Sequence, residues 1–405
     1  MKVAVLKEGP EEARVAVVPG TVKELVDAGA RVVVASGAGE ASGVSDAEYV
    51  EAGAEVSPDG ASALAGADVL LAVQPPGDGD GPGQLASLSE NLVLVSFLDP
   101  LGNPGRASRL AERGVSAFSM ELIPRTTRAQ RMDALSSQAN LAGYKAVLMA
   151  ANALPKVIPM FMTAAGTIRP AKALVLGAGV AGLQAIATAR RLGARVDAFD
   201  VRAAVKEQVE SLGATFLETE HEVAAEGEGG YAKELSEEQH QRELELIAAH
   251  IADTDLVVTT AQIPGRPAPV LITEEMLRSM RPGSVIVDMA AVSGGNCELS
   301  KAGETVIRHG VTIIGPDNLP GTVPVHASQM YAKNAVTFLL ELIQEGELVV
   351  DMENDVVGPA CLTHGGEVRN ARVRDALGLP PLAASAAQEP PATPAEDAES
   401  PQEAS

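Results

Sequence analysis

Gly177, Gly179 and Gly182 stand at G-x-G-x-x-G spacing. They follow the apolar run Ala173 to Leu176 and precede a segment with small and apolar residues at helical spacing. The first glycine of such a turn permits a tight exit from a strand. The second lets a pyrophosphate approach the backbone, and the third lets the helix pack close to the sheet. The unpaired N–H groups at the helix start then face the phosphates. A second strand, Arg195 to Phe199, ends on Asp200, 18 residues after Gly182. An acid there accepts hydrogen bonds from an adenine-ribose diol and repels a 2′-phosphate, which favours NAD over NADP. Arg202 pulls slightly the other way, because a guanidinium suits a 2′-phosphate. The glycine spacing alone is a weak signal; the strand before it, the helix after it and the later acid supply the required context.

The second stretch with chemical content runs from Arg125 to Asn140: Arg-Thr-Thr-Arg-Ala-Gln-Arg-Met-Asp-Ala-Leu-Ser-Ser-Gln-Ala-Asn. By itself it reads equally as a solvated loop leading into a helix or as a wall of a domain cleft facing the nicotinamide end of a dinucleotide. In the second reading Arg125 and Asp133 pair and hold the loop in one shape. Gln130 offers donors and an acceptor to a carboxamide or ribose, and Ser136 adds a hydroxyl. Ser136 or Ser137 is the expected cap of the long helix that follows, which Leu154-Pro155 breaks.

These residues need a scaffold. Apolar runs of buried-strand type recur at Lys2–Leu6, Arg31–Ala35, Asp68–Val73, Leu92–Phe97 and Val115–Met120, with helical segments between them. The same alternation resumes at Ala173–Leu176 and continues through Asp255–Thr260, Ser284–Met289 and Val311–Ile314. Repeated β–α alternation predicts an α/β fold with two doubly wound parallel-sheet, Rossmann-like domains. Two long helices, the one after Ser136 and one over His326–Glu345, are expected to join them across a cleft with hinge motion. The expected division is 1–135 plus 325–380 for the first domain and 136–324 for the dinucleotide domain. The stretch 381–405, acidic and rich in Ala and Pro, is expected to be disordered. The acidic, glycine-rich segment 218–230 is expected to be a mobile loop.

The bulk numbers narrow the function classes. A net charge of −23 over 405 residues argues against nucleic acid and against an anionic membrane surface. Cys297 and Cys361 form neither a disulfide framework nor a metal spacing, so no metal site is expected. The opening apolar run is too short for a signal peptide, and no stretch has the length of a transmembrane helix.

The loop motif Pro-Arg-x-x-Arg-Ala-Gln-x-Met-Asp-x-Leu-Ser-Ser-Gln-x-Asn resembles the signature loop of the NAD(H)-binding component of proton-translocating nicotinamide nucleotide transhydrogenases. Further resemblance lies in the run from Asp200 to Gly213, in Gly229-Gly-Tyr-Ala-Lys-Glu234, in Thr259 to Pro269 and in Val287-Asp-Met-Ala290. It covers roughly residues 1 to 380.

The resemblance implies that Arg125, Gln130, Asp133 and Ser136 organise the nicotinamide and its ribose, with Thr126 and Arg128 beside them. It implies that Val180 and the glycines contact the pyrophosphate, and that Asp200, Val201 and Arg202 hold the adenosine end. A loop at Gly230 and Tyr231 closes over the nucleotide, and Gln262 sits near it. It also implies NAD(H) on this chain, NADP(H) on a partner subunit, membrane-embedded partners that couple hydride transfer to proton translocation, a homodimer, and a cytoplasmic chain attached peripherally to the membrane through those partners.

Alanine dehydrogenase resembles the chain more distantly. That enzyme needs a lysine and a histidine where this chain has Gln74 and Asp99, although Arg14 is retained. Without an ammonium and an imidazole there is no evident acid–base pair for reductive amination.

Overall fold

The computed structural model describes residues 1–77, 84–218 and 236–382. The expected mobile loop from 219 onward, with Gly230 and Tyr231, and the expected disordered stretch from 383 onward lie outside the described residues.

Short apolar segments build the first sheet: β1 (Lys2–Val5), β2 (Arg31–Ala35), β3 (Glu55–Ser57), β4 (Val69–Leu71), β5 (Val93–Ser96) and β6 (Ser116–Ser119). A small hairpin follows, β7 (Phe161–Thr163) and β8 (Gly166–Ile168). The second sheet takes β9 (Lys172–Leu176), β10 (Arg195–Phe199), β11 (Thr215–Phe216), β12 (Leu256–Thr259), β13 (Val285–Asp288), β14 (Thr305–Arg308) and β15 (Val311–Ile314). The chain then makes a two-stranded ladder, β16 (Ile343–Gln344) and β17 (Glu347–Leu348), and returns to the first sheet as β18 (Cys361–His364) and β19 (Glu367–Val368).

The first sheet has the order β19-β18-β6-β5-β4-β1-β2-β3 and the second β11-β10-β9-β12-β13-β15-β14. Strand β1 lies between β2 and β4, and β9 between β10 and β12, all parallel. Each sheet therefore reverses its winding direction at one place, and ligands of such sheets sit outside the carboxyl ends there. Buried residues cover both faces of each sheet, which is why strands such as Val285–Asp288 read as unbroken apolar runs up to their last residue.

The sheets depart from the all-parallel expectation at their edges. Strand β18 runs antiparallel to β6 and to β19, and β14 antiparallel to β15. Tight turns cause two of these reversals. Gly365-Gly366 and His309-Gly310 take positive φ at both positions and return the chain at once. A parallel neighbour would need a crossover of about a dozen residues.

Two long helices lie beside the sheets. The first bridging helix, Ala134–Ala153, buries Ala142, Ala146, Val147 and Ala150 at spacings of three and four. The second, Pro324–Glu341, starts with proline at its first position and buries Tyr331, Ala335, Phe338 and Leu339 against the first sheet. It stops before the expected Glu345, because Glu345 and Gly346 take positive φ and turn the chain into the β16–β17 ladder. The two helices meet: Ser137 Oγ donates to Asn334 Oδ1 at 2.7 Å, and Gln138 Nε2 donates to the Ala327 carbonyl at 3.1 Å. Among the described residues no helix is long and apolar enough to cross a membrane.

Candidate functional site: a cleft at the carboxyl ends of β9 and β12

The glycine turn behaves as its chemistry requires. Gly177 has φ +98°, a value that favours glycine. A Cβ on Gly182 would lie 1.8 Å from the Gly177 carbonyl oxygen, so only glycine lets the helix Val180–Arg191 sit this close to the strand. Gly179 caps that helix through its backbone, with no side-chain hydrogen bond to the first turn. A Cβ there would meet only Arg202 Nη2, at 3.9 Å, so the backbone is open in front. Thr260, just past β12, donates its hydroxyl to the Gly177 carbonyl at 3.1 Å and braces the turn from the neighbouring strand.

Around this turn lies a cleft of about 680 Å³, within the usual range for small-molecule sites. The structure brings Arg125, Ser136, Gly177, Gly179, Val180, Asp200, Val201, Arg202 and Gln262 together as its lining. Gly182 sits behind the turn. Gln130, Asp133, Thr126 and Arg128 are not in the lining. Gln130 is exposed at the start of a 3₁₀ turn. Arg128 is turned outward and ion-pairs with Glu341 and Asp355.

Two expectations are corrected at residue level. Asp133, not a serine, caps the first bridging helix: its Oδ1 accepts from the Ser136 N–H at 2.8 Å and its Oδ2 from the Ser136 hydroxyl at 2.6 Å. The Arg125–Asp133 pair does not form, because helix capping occupies the carboxylate. A carboxylate beats a hydroxyl here because it carries charge toward the positive end of the helix and offers two acceptor atoms.

Asp200 also differs from a bare diol acceptor. Its Oδ2 accepts from the Ala178 N–H at 2.7 Å and from Arg202 Nη2 at 2.8 Å, while Oδ1 accepts from the Arg202 N–H and Nε at 2.9 Å each. The acid thus clamps the glycine turn and neutralises Arg202 in one bidentate pair. Sequence reading missed the opposite wall, where Glu237, His240 and Glu243 project from the helix Glu237–Ile251. A charged helix with a capping box carries no local sign of which face meets a ligand. Burial raises the Glu243 carboxyl above its ordinary range, and the Asp200 charge adds to this. The hydrogen bond with His240 opposes it.

The corresponding crevice of the first sheet is filled by its own side chains. Beyond β1 and β4, Arg14 donates from Nε to Glu12 Oε1 at 2.8 Å and from Nη2 to Glu12 Oε2 at 2.7 Å. Its Nη1 donates to Gln138 Oε1 at 2.9 Å, and Gln74 Nε2 donates to Glu12 Oε2 at 2.6 Å. Burial works to raise the Glu12 carboxyl, but the Arg14 guanidinium wins and holds it below the usual carboxylate range. Asp99 takes φ +48° and caps its own turn through the Gly102 N–H at 3.2 Å. An oxo acid would have to displace Glu12 to reach Arg14, and would find no ammonium or imidazole at Gln74 and Asp99. Both cysteines are buried free thiols pushed up to about 12 by burial.

Comparison with known proteins agrees with this geometry. Residues 4–142 match the alanine dehydrogenase/PNT N-terminal domain family, and residues 146–371 the matching C-terminal domain family. The chain is 48% identical over 374 residues to an NAD(P) transhydrogenase alpha subunit of Rhodospirillum rubrum, covering 91% of this chain and 97% of that protein. A solved transhydrogenase from Sinorhizobium meliloti superposes with a TM-score of 0.81 at 48% identity, over 91% of this chain and all of that one. A solved L-alanine dehydrogenase superposes at 0.76 with 25% identity, over 93% and 99% of the two chains. The chain belongs to the alanine dehydrogenase/PNT family, which includes the alpha subunits of NAD(P) transhydrogenases.

Proposed function

We propose that the chain binds NAD(H) in the cleft and presents its nicotinamide for direct hydride transfer to or from NADP(H) held by a partner subunit. The observation that carries this reading is the convergence of an open glycine turn, an acid at the end of the second strand and the Arg125–Ser136 loop on one cleft. The nicotinamide, when bound, supplies the hydride chemistry itself. The chain's own role is to position: the Gly179 turn and the first N–H groups of its helix receive the pyrophosphate, and Asp200, Val201 and Arg202 receive the adenosine end. Arg125, Gln130, Asp133 and Ser136 orient the nicotinamide end. Thr126, Arg128 and Gln262 border them, and Gly230 and Tyr231 close over the site. No side chain has to act as acid or base, since a hydride passing between two nicotinamides moves no proton.

A functional division at 135/136 and 324/325 follows, with the cleft between the two domains and the stretch 381–405 as a linker. The subunit names of the relatives support membrane-embedded partners that couple transfer to proton translocation, with this chain on the cytoplasmic side. Exposed Met160, Phe161, Met162 and Ile168 on the β7–β8 hairpin support a homodimer.

The test is a titration of the purified chain with NADH and NADPH, followed by addition of a separate NADP(H)-binding transhydrogenase component. Tighter binding of NADH, with transfer to an NADP⁺ analogue only after the component is added, is the expected result. Oxidation of NADH by pyruvate and ammonia without a partner would replace this reading with an amino-acid dehydrogenase.

A further inference from the structure

The Asp200–Arg202 pair leaves a question of charge at the adenosine end. With both Asp200 oxygens on Arg202 and on backbone N–H groups, that pair is close to neutral as a unit. A neutral pair discriminates weakly against a phosphate dianion. The opposite wall carries a second carboxylate. Glu243 is 5% exposed yet lines the same cleft as Asp200, Val201 and Arg202. Its Oε2 lies 3.0 Å from His240 Nδ1, also on the cleft wall. Ile247, one turn further on, packs in the same apolar cluster as Phe199, with Leu244 and Val201 at its edge. This contact seats the helix against the carboxyl end of β10, where the NAD(H) reading places the adenosine ribose.

We infer that Glu243 is a specificity-determining residue, which excludes a ribose 2′-phosphate from the cleft and so sets the preference for NADH over NADPH. The inference rests on the NAD(H) reading of the cleft. Its physics is direct. A phosphate dianion brought beside a desolvated carboxylate meets either repulsion in a low-dielectric wall or the cost of protonating that carboxylate. A 2′-hydroxyl meets neither, and Glu243 can accept its hydrogen bond. The raised carboxyl of Glu243, with Asp200 contributing, agrees with a site where further negative charge is costly.

Glu243→Gln keeps the shape and the bond to His240 while removing the charge. The readout is the ratio of Kd for NADPH to Kd for NADH, measured by fluorescence titration in wild type and variant. 2′,5′-ADP and 5′-ADP serve as probes of the adenosine end alone. The expected result is a ratio smaller by about tenfold in the variant, with a parallel gain for 2′,5′-ADP; tenfold corresponds to about 1.4 kcal/mol. An unchanged ratio in a variant that still binds NADH would overturn this inference and leave the NAD(H) reading standing. Equal loss of both nucleotides would overturn it in favour of a packing role. A wild-type chain that binds no NADH would overturn the cofactor reading and this inference with it.

Discussion

Glu8 shows how one buried carboxyl sets a pH dependence. It follows β1 and accepts from the Val73 N–H at 2.6 Å and the Gln74 N–H at 3.3 Å. Burial pushes its pKa up from 4.5 to about 7, against those bonds, with the Glu12 charge adding and Arg14 opposing. A folded-state value above the unfolded one means the contribution to stability is fully present below pH 4.5 and lost as pH rises through about 7. Glu8→Gln mimics the protonated form and removes this loss. Urea unfolding at pH 5 and pH 8 is expected to show the variant gaining on wild type by about 2 kcal/mol between the two. A difference that stays constant with pH would sink the assignment.

At the scale of elements, the first bridging helix depends on its start and its middle. Asp133→Ala removes the cap, with an expected loss of about 1 kcal/mol in urea unfolding. It also frees Ser136 from its present bonds, so NADH binding should weaken beyond what the lost stability explains. Serine at position 133, which can still cap, is expected to restore most of the stability. In the middle of the helix, a Cβ on Gly143 would lie 2.1 Å from the Ala181 carbonyl oxygen. Ala181 is in the first turn of the glycine-motif helix, so the bridging helix touches the nucleotide turn directly. Gly143→Val should therefore destabilise the chain by about 1–3 kcal/mol and weaken NADH binding together with it. Calorimetry and titration of one sample measure both. Full NADH affinity in a destabilised variant would show that the two helices are not coupled.

For the whole molecule, the open question is how copies associate. Strands β7 and β8 are exposed along their whole length, with Met162 76% and Phe161 44% exposed. An apolar two-stranded hairpin with no third strand is marginal in water, so a covering partner stabilises it. If it forms the homodimer contact, Phe161→Glu with Met162→Glu should give a monomer by light scattering while far-UV circular dichroism stays unchanged. A double variant that remains dimeric would move the interface elsewhere.

Much of this protein is decided within a few residues of chain. Ser45 and Ser236 cap their helices in reciprocal boxes with Glu48 and Gln239, as residue type and spacing predict. The glycine turn is legible because Gly177 and Gly182 answer to contacts made five residues apart. Leu154-Pro155 ends the first bridging helix for the local reason that the residue before a proline avoids helical backbone. What the sequence left open depends on partners distant along the chain. The return of Cys361–His364 beside Ser116–Ser119 joins strands from opposite ends of the sequence. Glu12, Arg14, Gln74 and Gln138 meet only once β1, β4 and the bridging helix are packed. The wall of His240 and Glu243 faces Asp200 because apolar packing around Ile247 and Phe199 turns that helix edge toward the cleft. Hydrogen-bonded turns and caps are short-range and survive as motifs. Burial is set by the whole fold, and burial decides which carboxylate clamps, which repels and which holds its proton.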